Sequence, residues 1–406
     1  MLRFAQSLYE TGPMTEQKTT VRRKAPKATV AAAPGSRSLF VSEAPAIAGT
    51  LTTLIFLAFG SAILSNLQND ALTVVLFLWL FGVMMWCSFG VVRHADAVAA
   101  HLGEPYGTLV LTFSVITIEV ALFASIMLHG QNNPTLARDA MFATLMIVLN
   151  GMVGAALLMG ALRYREQECN LAGARAFLVV IAALSVIALV LPNYMKTAPS
   201  PVETPGTAIL FIAVTLLFYA VFIFIQTMRH QSFFDEPADY SNDPAHQALG
   251  HAKAANRSLG FHVAMLVLTL LPVVLLAESL AVIVDYGIED LGLPEALGGI
   301  LIAILVLAPE GLTAFHAALA DHLQRAVNVC LGSALSTIGL TIPAVLIIGL
   351  VTGIDVHLGL SESEMVLLLL TLFVSGLTFA GGRTNVLQGF VHLVLFFVYV
   401  MLIFSP

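Results

Sequence analysis

Apolar residues run along this chain in long blocks, and short polar segments separate one block from the next. Nearly every block is about 20 residues or longer, the length a helix needs to cross a hydrocarbon core of about 30 Å. The blocks lack the alternation of apolar and polar positions that marks a barrel strand. In lipid the backbone must satisfy its own hydrogen bonds, and a helix does so within one segment. The pattern therefore predicts an all-α polytopic membrane protein with eleven transmembrane helices, at 45–65, 71–92, 106–129, 140–162, 174–191, 207–228, 258–285, 296–319, 327–350, 363–380 and 386–404.

Lysine and arginine set the orientation, because they collect on the cytoplasmic side of membrane helices. With the amino terminus cytoplasmic, sixteen of the eighteen Lys and Arg fall in inner segments, and Arg138 and Lys196 alone lie outside. Dropping one span would scramble that asymmetry, so the charges support the count of eleven and put the carboxyl terminus outside. Residues 1–44 are basic and polar with no apolar core of their own. They are expected to form a flexible cytoplasmic tail rather than a cleaved signal peptide. A leading helix at 45–66 follows. The other ten spans divide into five at 71–228 and five at 258–406, on either side of a polar cytoplasmic loop at 229–257. A unit with an odd number of spans inserts upside down the second time. The expected architecture is thus one leading helix plus two inverted five-helix repeats, in which secondary transporters bind their ions near the membrane midplane.

Two acids interrupt the apolar blocks at matching places. Glu119 follows Gly107 by twelve residues and Glu310 follows Gly298 by twelve, each behind a Leu-Gly-x-Pro lead-in at Leu102 and Leu291. A carboxylate at a helix centre costs roughly 2.5 to 3.5 kcal/mol even on the lenient insertion scale, so its recurrence in both halves calls for a function. Thr112, Ser114 and Thr117 offer hydroxyls near Glu119, while Pro309 frees carbonyls beside Glu310, whose helix face carries Thr313. Asn150 in the fourth span and Ser333 in the ninth are candidates to complete a ligand shell, with tight packing of Gly151 and Gly332 as the alternative use of those segments. Glu278, beyond Pro272 in the seventh span, is a candidate proton relay or an interfacial acid bonded to a neighbour. A dehydrated hard cation prefers several oxygen ligands, and an empty pair of buried carboxylates is relieved by protons. Cation and proton then compete for the same oxygens in a coupled titration, and that competition is antiport.

Composition narrows the remaining classes. With 58% hydrophobic residues, 11% charged residues and a mean hydropathy of +0.90, a soluble globular domain of this length is excluded. The net charge of -7 gives no suggestion of nucleic acid. Cys87, Cys169 and Cys330 match neither a disulfide framework nor a zinc-ligand spacing, and no cofactor is implied. Asp235, Glu236, Asp239 and Asp243 in the polar loop, with His230, His246 and His251, form either a cation sensor or a solvated linker. His316 and His322 do not share a helix face, and Asp321 can pair with Arg325 at i+4. An intramembrane hydrolase with Ser333 or Ser336 as nucleophile and His316 as base lacks a nucleophile elbow and an orienting acid. The expected partners are inorganic cations, protons and the lipid bilayer, with homo-oligomerisation left open.

Several motifs, taken in order, carry a resemblance. Val91-Val-Arg-His-Ala-Asp96, Leu102-Gly-Glu-Pro-Tyr-Gly107, Ala308-Pro-Glu310-Gly-Leu312, Leu331-Gly-Ser-Ala-Leu335 and Gly382-Arg-Thr-Asn385 together resemble the bacterial ChaA-type cation/proton antiporters of the calcium/cation exchanger superfamily. The resemblance covers residues 45–406. It implies an eleven-helix exchanger in a bacterial inner membrane, with an acidic loop between two five-helix units, and export of Ca2+ or of Na+ and K+ against H+. It also matches Glu119 and Glu310 to the acidic residues of the superfamily's two α-repeats. Many calcium/proton exchangers carry Gly-Asn four and three residues before each acid, where this chain has Val115-Ile116 and Val306-Leu307. Fewer side-chain oxygens favour a less demanding monovalent ion, unless carbonyls near Pro309, or Asn150 and Ser333, complete the shell. Arg383, within the last of these motifs, reads most simply as a structural clamp at the inner face.

Overall fold

The structure, a computed structural model, describes residues 42–65, 67–68, 70–103, 106–129, 134–195, 205–234, 257–292, 294 and 296–404. Most of the basic tail and the acidic stretch 235–256 lie outside the described residues. The helices are α1 (Ala44–Leu64), α2 (Asp70–Leu102), α3 (Tyr106–His129), α4 (Leu136–Met146), α5 (Val153–Tyr164), α6 (Leu171–Ser185), α7 (Pro205–Phe224) and α8 (Leu259–Leu291). After them come α9 (Ala296–Leu319), α10 (Leu323–Ser336), α11 (Ile342–Thr352), α12 (Glu362–Thr378) and α13 (Val386–Ile403). Two pairs run on as single rods through a π-helical turn, α4 into α5 through Ile147–Met152 and α10 into α11 through Thr337–Thr341. Such turns widen the helix by one residue and are frequent at functional sites.

Among the described residues, nine helical stretches are long and apolar enough to cross a membrane. Of the eleven expected spans, α12 falls short of that measure, with 17 residues and Glu362 and Glu364 in its first turn. α3 has 24 residues, of which Leu109–Ser125 is a described apolar stretch. Two others overshoot. α2 and α8 each have 33 residues, about 50 Å at 1.5 Å per residue, because no stop signal follows the apolar block until Gly103 and Gly292. Both glycines are left-handed, with φ of 68° and 59°, the conformation in which helices commonly end. Ser258 starts α8 by accepting from the Phe261 amide, and Ser361 and Asn385 open α12 and α13 with capping boxes to Glu364 and Gln388.

The buried apolar side chains fall into two cores. One gathers α1, α2, α3, α8 and part of α9 around Leu80, Met84, Ile118, Val273 and Leu305. The other gathers α4 to α7 and α9 to α13 around Phe142, Phe177, Leu331, Ile338 and Leu395. α3 and α9 serve both. Val115 and Leu122 face the first core and Phe123 the second, while Val306 faces the first and Leu307 and Ala314 the second. Lipid is as apolar as leucine, so close backbone approach rather than apolar burial seats helices in a membrane. α9 meets α4 at Gly299, where a Cβ would stand 2.8 Å from the Ala140 Cα, and α5 meets α13 at Gly389, where it would stand 2.6 Å from the Leu158 amide.

Two features at the helix ends escape the hydrophobic pattern. Strands β1 (Glu166–Glu168) and β2 (Arg383–Asn385) pair antiparallel, with Gln167 opposite Thr384. Arg383 lies 2.6 Å from Glu168 and 3.7 Å from Glu166, the geometry of a clamp between the α5–α6 and α12–α13 connections. At the start of α1, the Glu43 carboxylate accepts from Arg93 of α2 at 2.7 Å and from Arg257 at 3.1 Å. His94 lies 3.0 Å from the same carboxylate and 3.1 Å from His262 of α8.

Candidate functional site

Glu119 on α3 and Glu310 on α9 occupy the seam between the two cores, and α10 runs across both. The Ser333 hydroxyl donates to Glu310 at 2.5 Å, and the Thr337 hydroxyl, one helical turn on, donates to Glu119 at 3.1 Å. Residues four apart share a helix face, so one stripe running from α10 into the π-helical turn addresses two carboxylates from different halves of the chain. Thr341 extends the stripe by another turn and lies beside Glu119. The two carboxylates are near enough for each charge to act on the other. A hydrogen bond to a carboxylate in its ionised form contributes about 1.5–3 kcal/mol.

The pair is asymmetric. Glu119 is only 3% exposed, whereas Glu310 is half-buried and lines a cavity of about 460 Å³. Thr112 and Val115 of α3, Thr313 of α9, and Ser333 and Ser336 of α10 share that cavity with it. The Thr313 hydroxyl is spent locally, donating at 3.0 Å to the Pro309 carbonyl. Gln226, Gln231 and Asn328 add polar groups, and Asp96 and Arg325 add charge. An ion in this space would meet the Glu310 carboxylate and the Ser333 hydroxyl, with Glu119 behind them.

Asn150 is seated elsewhere. It is fully buried in the π-helical turn between α4 and α5, where its amide nitrogen donates to Thr371 at 2.8 Å and its oxygen pairs with a His392 ring nitrogen at 3.2 Å. The other His392 nitrogen pairs with Thr378 at 3.0 Å, closing a network between the turn, α12 and α13. Glu278 lies exposed on α8 and does not line the cavity. Asp321 accepts from Gln167 at 2.9 Å, a partner from β1 that i+4 spacing could not indicate. Ser333 is bonded to Glu310, Ser336 donates to the Ser333 carbonyl at 3.0 Å, and His316 is exposed, so no serine–histidine couple forms there. The residues that the sequence did not single out are Thr337 and Thr341. Their signal was available as hydroxyls four and eight positions beyond Ser333.

A sequence profile of the sodium/calcium exchanger protein family matches the chain twice, over residues 72–228 and 261–405. The Escherichia coli sodium-potassium/proton antiporter ChaA is 37% identical over 350 residues, which cover 82% of this chain and 93% of that one. The Sinorhizobium fredii protein y4hA, provisionally named an ionic transporter, is 43% identical over 337 residues, 82% of this chain and 90% of its own length. Among solved structures, the Ca2+/H+ antiporter protein YfkE superposes with a TM-score of 0.66 over 90% of this chain and 99% of that one. At 17% identity this last likeness concerns the fold.

Proposed function

Because the chain belongs to the sodium/calcium exchanger protein family, we propose that it is a multi-pass secondary transporter exchanging Ca2+ and/or Na+ and K+ for H+ at Glu119 and Glu310. The single observation that carries this reading is the stripe Ser333–Thr337, which offers a hydroxyl to each of two acids that come from opposite halves of the chain. A carboxylate pair so placed has two ways to satisfy itself: protons, or a cation held by the carboxylate and hydroxyl oxygens. The two occupancies exclude each other, so a site that opens to alternate sides carries one species against the other. The cavity at Glu310 is the access path on one side, and closure of that path with opening toward Glu119 is the complementary state.

The membrane arrangement completes the proposal. α3, with 24 residues, and α12, with 17, join the nine stretches to make eleven spans, the short α12 being accommodated where neighbouring helices cover it. The leading helix is 45–66, and 71–228 and 258–406 are two five-helix units in inverted orientation, a division supported by the double match of the family profile. The distribution of Lys and Arg supports a cytoplasmic amino terminus and an outer carboxyl terminus, in the inner membrane of a bacterium. The cavity with Asp96 and Arg325 then faces the cytoplasm. Residues 229–257 form the connecting cytoplasmic loop.

A monovalent-only exchanger is the second reading, and one observation favours it. Asn150, the side-chain amide of the fourth span, is committed to Thr371 and His392, which leaves a shell of two carboxylates and hydroxyls. A divalent ion must lose a more strongly bound hydration shell and needs more oxygens in return. In either form the residues act by binding, and the mechanism invokes no covalent step.

The test uses everted membrane vesicles with a preformed pH gradient, to which Na+, K+, Ca2+ or Mg2+ is added. The wild-type protein is expected to collapse the gradient with at least one of these ions. Glu119→Gln and Glu310→Gln keep side-chain volume and hydrogen bonding yet cannot trade a proton for a cation, and each is expected to abolish exchange in a protein that still inserts. Near-normal exchange by either variant rules out the two-carboxylate mechanism.

A further inference from the structure

The cavity that reaches Glu310 carries three charged side chains among its described lining residues: Glu310 at its floor, Asp96 on α2 and Arg325 on α10. A cation path has no evident use for the arginine. Arg325 is exposed and lies four residues before Val329 and eight before Ser333, all three of which line the same space. The nearby Asp321 is engaged by Gln167, and among the described residues the ion pairs formed by other arginines, at Glu43, Asp139 and the two β1 glutamates, do not include Arg325. The charge therefore stands in the vestibule as a permanent feature, since arginine does not lose its proton.

A fixed positive charge acts on a passing ion in proportion to that ion's charge. A monovalent cation in the cavity is repelled once and a divalent cation twice over. Asp96 opposes this, and its charge reaches as far as Glu310. With Asp96 and Arg325 cancelling, the net charge of the described lining residues is that of Glu310, and the vestibule remains attractive to cations while penalising double charge relative to a cavity lined by acids alone. We propose that Arg325 is a specificity-determining residue that biases the exchanger toward monovalent over divalent cations, with Asp96 as its counter-charge. The inference rests on the exchanger reading given above. It is independent of which oxygens bind the ion, because it concerns the field in the approach to the site.

The charge law supplies a quantitative signature. If removing the Arg325 charge lowers the half-saturating Na+ concentration by a factor f, the Ca2+ constant should fall by about f squared, and with f of about three the Ca2+ constant falls about tenfold at low ionic strength. Everted vesicles present the cytoplasmic face, and therefore this cavity, to added ions. Initial rates of gradient collapse give the Na+ constant, and the Ca2+ constant is read from Ca2+-driven exchange or, where Ca2+ is not carried, from its inhibition of Na+ exchange. Arg325→Gln is expected to show the squared relation, with the maximal rate within about twofold and with differences that shrink when choline chloride raises the ionic strength. Arg325→Lys should behave as wild type. Asp96→Asn should shift both constants the opposite way, again in the squared ratio, and the double variant should return both toward wild type.

Equal shifts for the two ions, no response to ionic strength, or a change in Arg325→Lys as large as in Arg325→Gln would each overturn the proposal. Should Arg325→Gln fail to reach the membrane, Asp96→Asn carries the same test with the same squared ratio. A wild-type protein that exchanges no cation removes the functional reading and the inference together. A wild-type protein that exchanges, with selectivity unchanged in both charge variants, overturns the inference alone.

Discussion

Two rods of this bundle pass through a π-helical turn, α4–α5 at Ile147–Met152 and α10–α11 at Thr337–Thr341, and they use their polar side chains in opposite ways. In the second rod Ser333 and Thr337 point at Glu310 and Glu119. In the first, Asn150 turns from the carboxylates and closes a network with Thr371, His392 and Thr378. Both arrangements satisfy buried polar groups, yet they differ in what is left over. The Asn150 network consumes donors and acceptors against one another and holds helices together. In the second rod the Ser333 and Thr337 hydroxyls each meet an acid, and an acid with one donor keeps oxygen lone pairs for a proton or a cation. A polar residue in an apolar span is thus a ligand candidate when its partner has capacity to spare, and a rivet when both ends are closed.

Removing the α10 stripe should have the largest effect. Thr337→Val and Ser333→Ala each take one donor from a carboxylate, worth about 1.5–3 kcal/mol, so each is expected to lower the apparent kcat/KM of exchange roughly tenfold and the pair about 100-fold or more. Initial rates across a range of Na+ concentrations measure this. A double variant with unimpaired exchange would mean that the hydroxyls play no part in ion binding.

Breaking the other rod's network should cost stability instead. His392→Leu leaves the Asn150 oxygen buried without its partner, a loss of about 1–3 kcal/mol, which thermal unfolding in detergent would show as a lower Tm. Apparent cation constants are expected to stay within about threefold of wild type. His392→Gln, which keeps a side-chain donor, should recover part of the lost Tm. A large change in ion selectivity at unchanged Tm would reverse the contrast between the rods and make Asn150 a site residue.

The smallest effect is expected at the strand clamp. Arg383 and Glu166 are largely solvated and Glu168 is half-buried, and exposed ion pairs contribute about 0.2–1 kcal/mol. Arg383→Gln should lower Tm slightly in low salt and not at all in high salt, with exchange unaltered. Loss of exchange in that variant would give the α5–α6 and α12–α13 connections a role in access rather than in anchoring.

How far these contrasts were legible in the sequence depends on range. The apolar blocks announced helices because hydropathy is a property of each segment alone. Glu119 and Glu310 stood out because two costly residues recurred at matching offsets. Thr337 did not, since a hydroxyl in an apolar helix commonly turns back to its own backbone, as Thr215 does to the Phe211 carbonyl and Thr269 to that of Met265. Only the position of α3 against α10 distinguishes Thr337 from these. Asn150 was grouped with Ser333 by its place in the fourth span, but which way it faces is fixed by the π-helical turn and by His392, 242 positions away. The three-residue strands carry too little pattern to be read at all, and the ends of α2 and α8 are marked by single glycines rather than by the end of the apolar block.

The central claim is that protons and cations replace one another on Glu119 and Glu310, and proton release tests it without transport. Purified protein in weakly buffered detergent, held at the pH of half-maximal exchange, would be titrated with the transported cation while a pH indicator counts the protons set free. The account predicts release that saturates with cation binding in the wild type, reduced release in Glu119→Gln and Glu310→Gln, and none in the double variant. Saturable cation binding with no proton release in the wild type, or full release from the double variant, would contradict it.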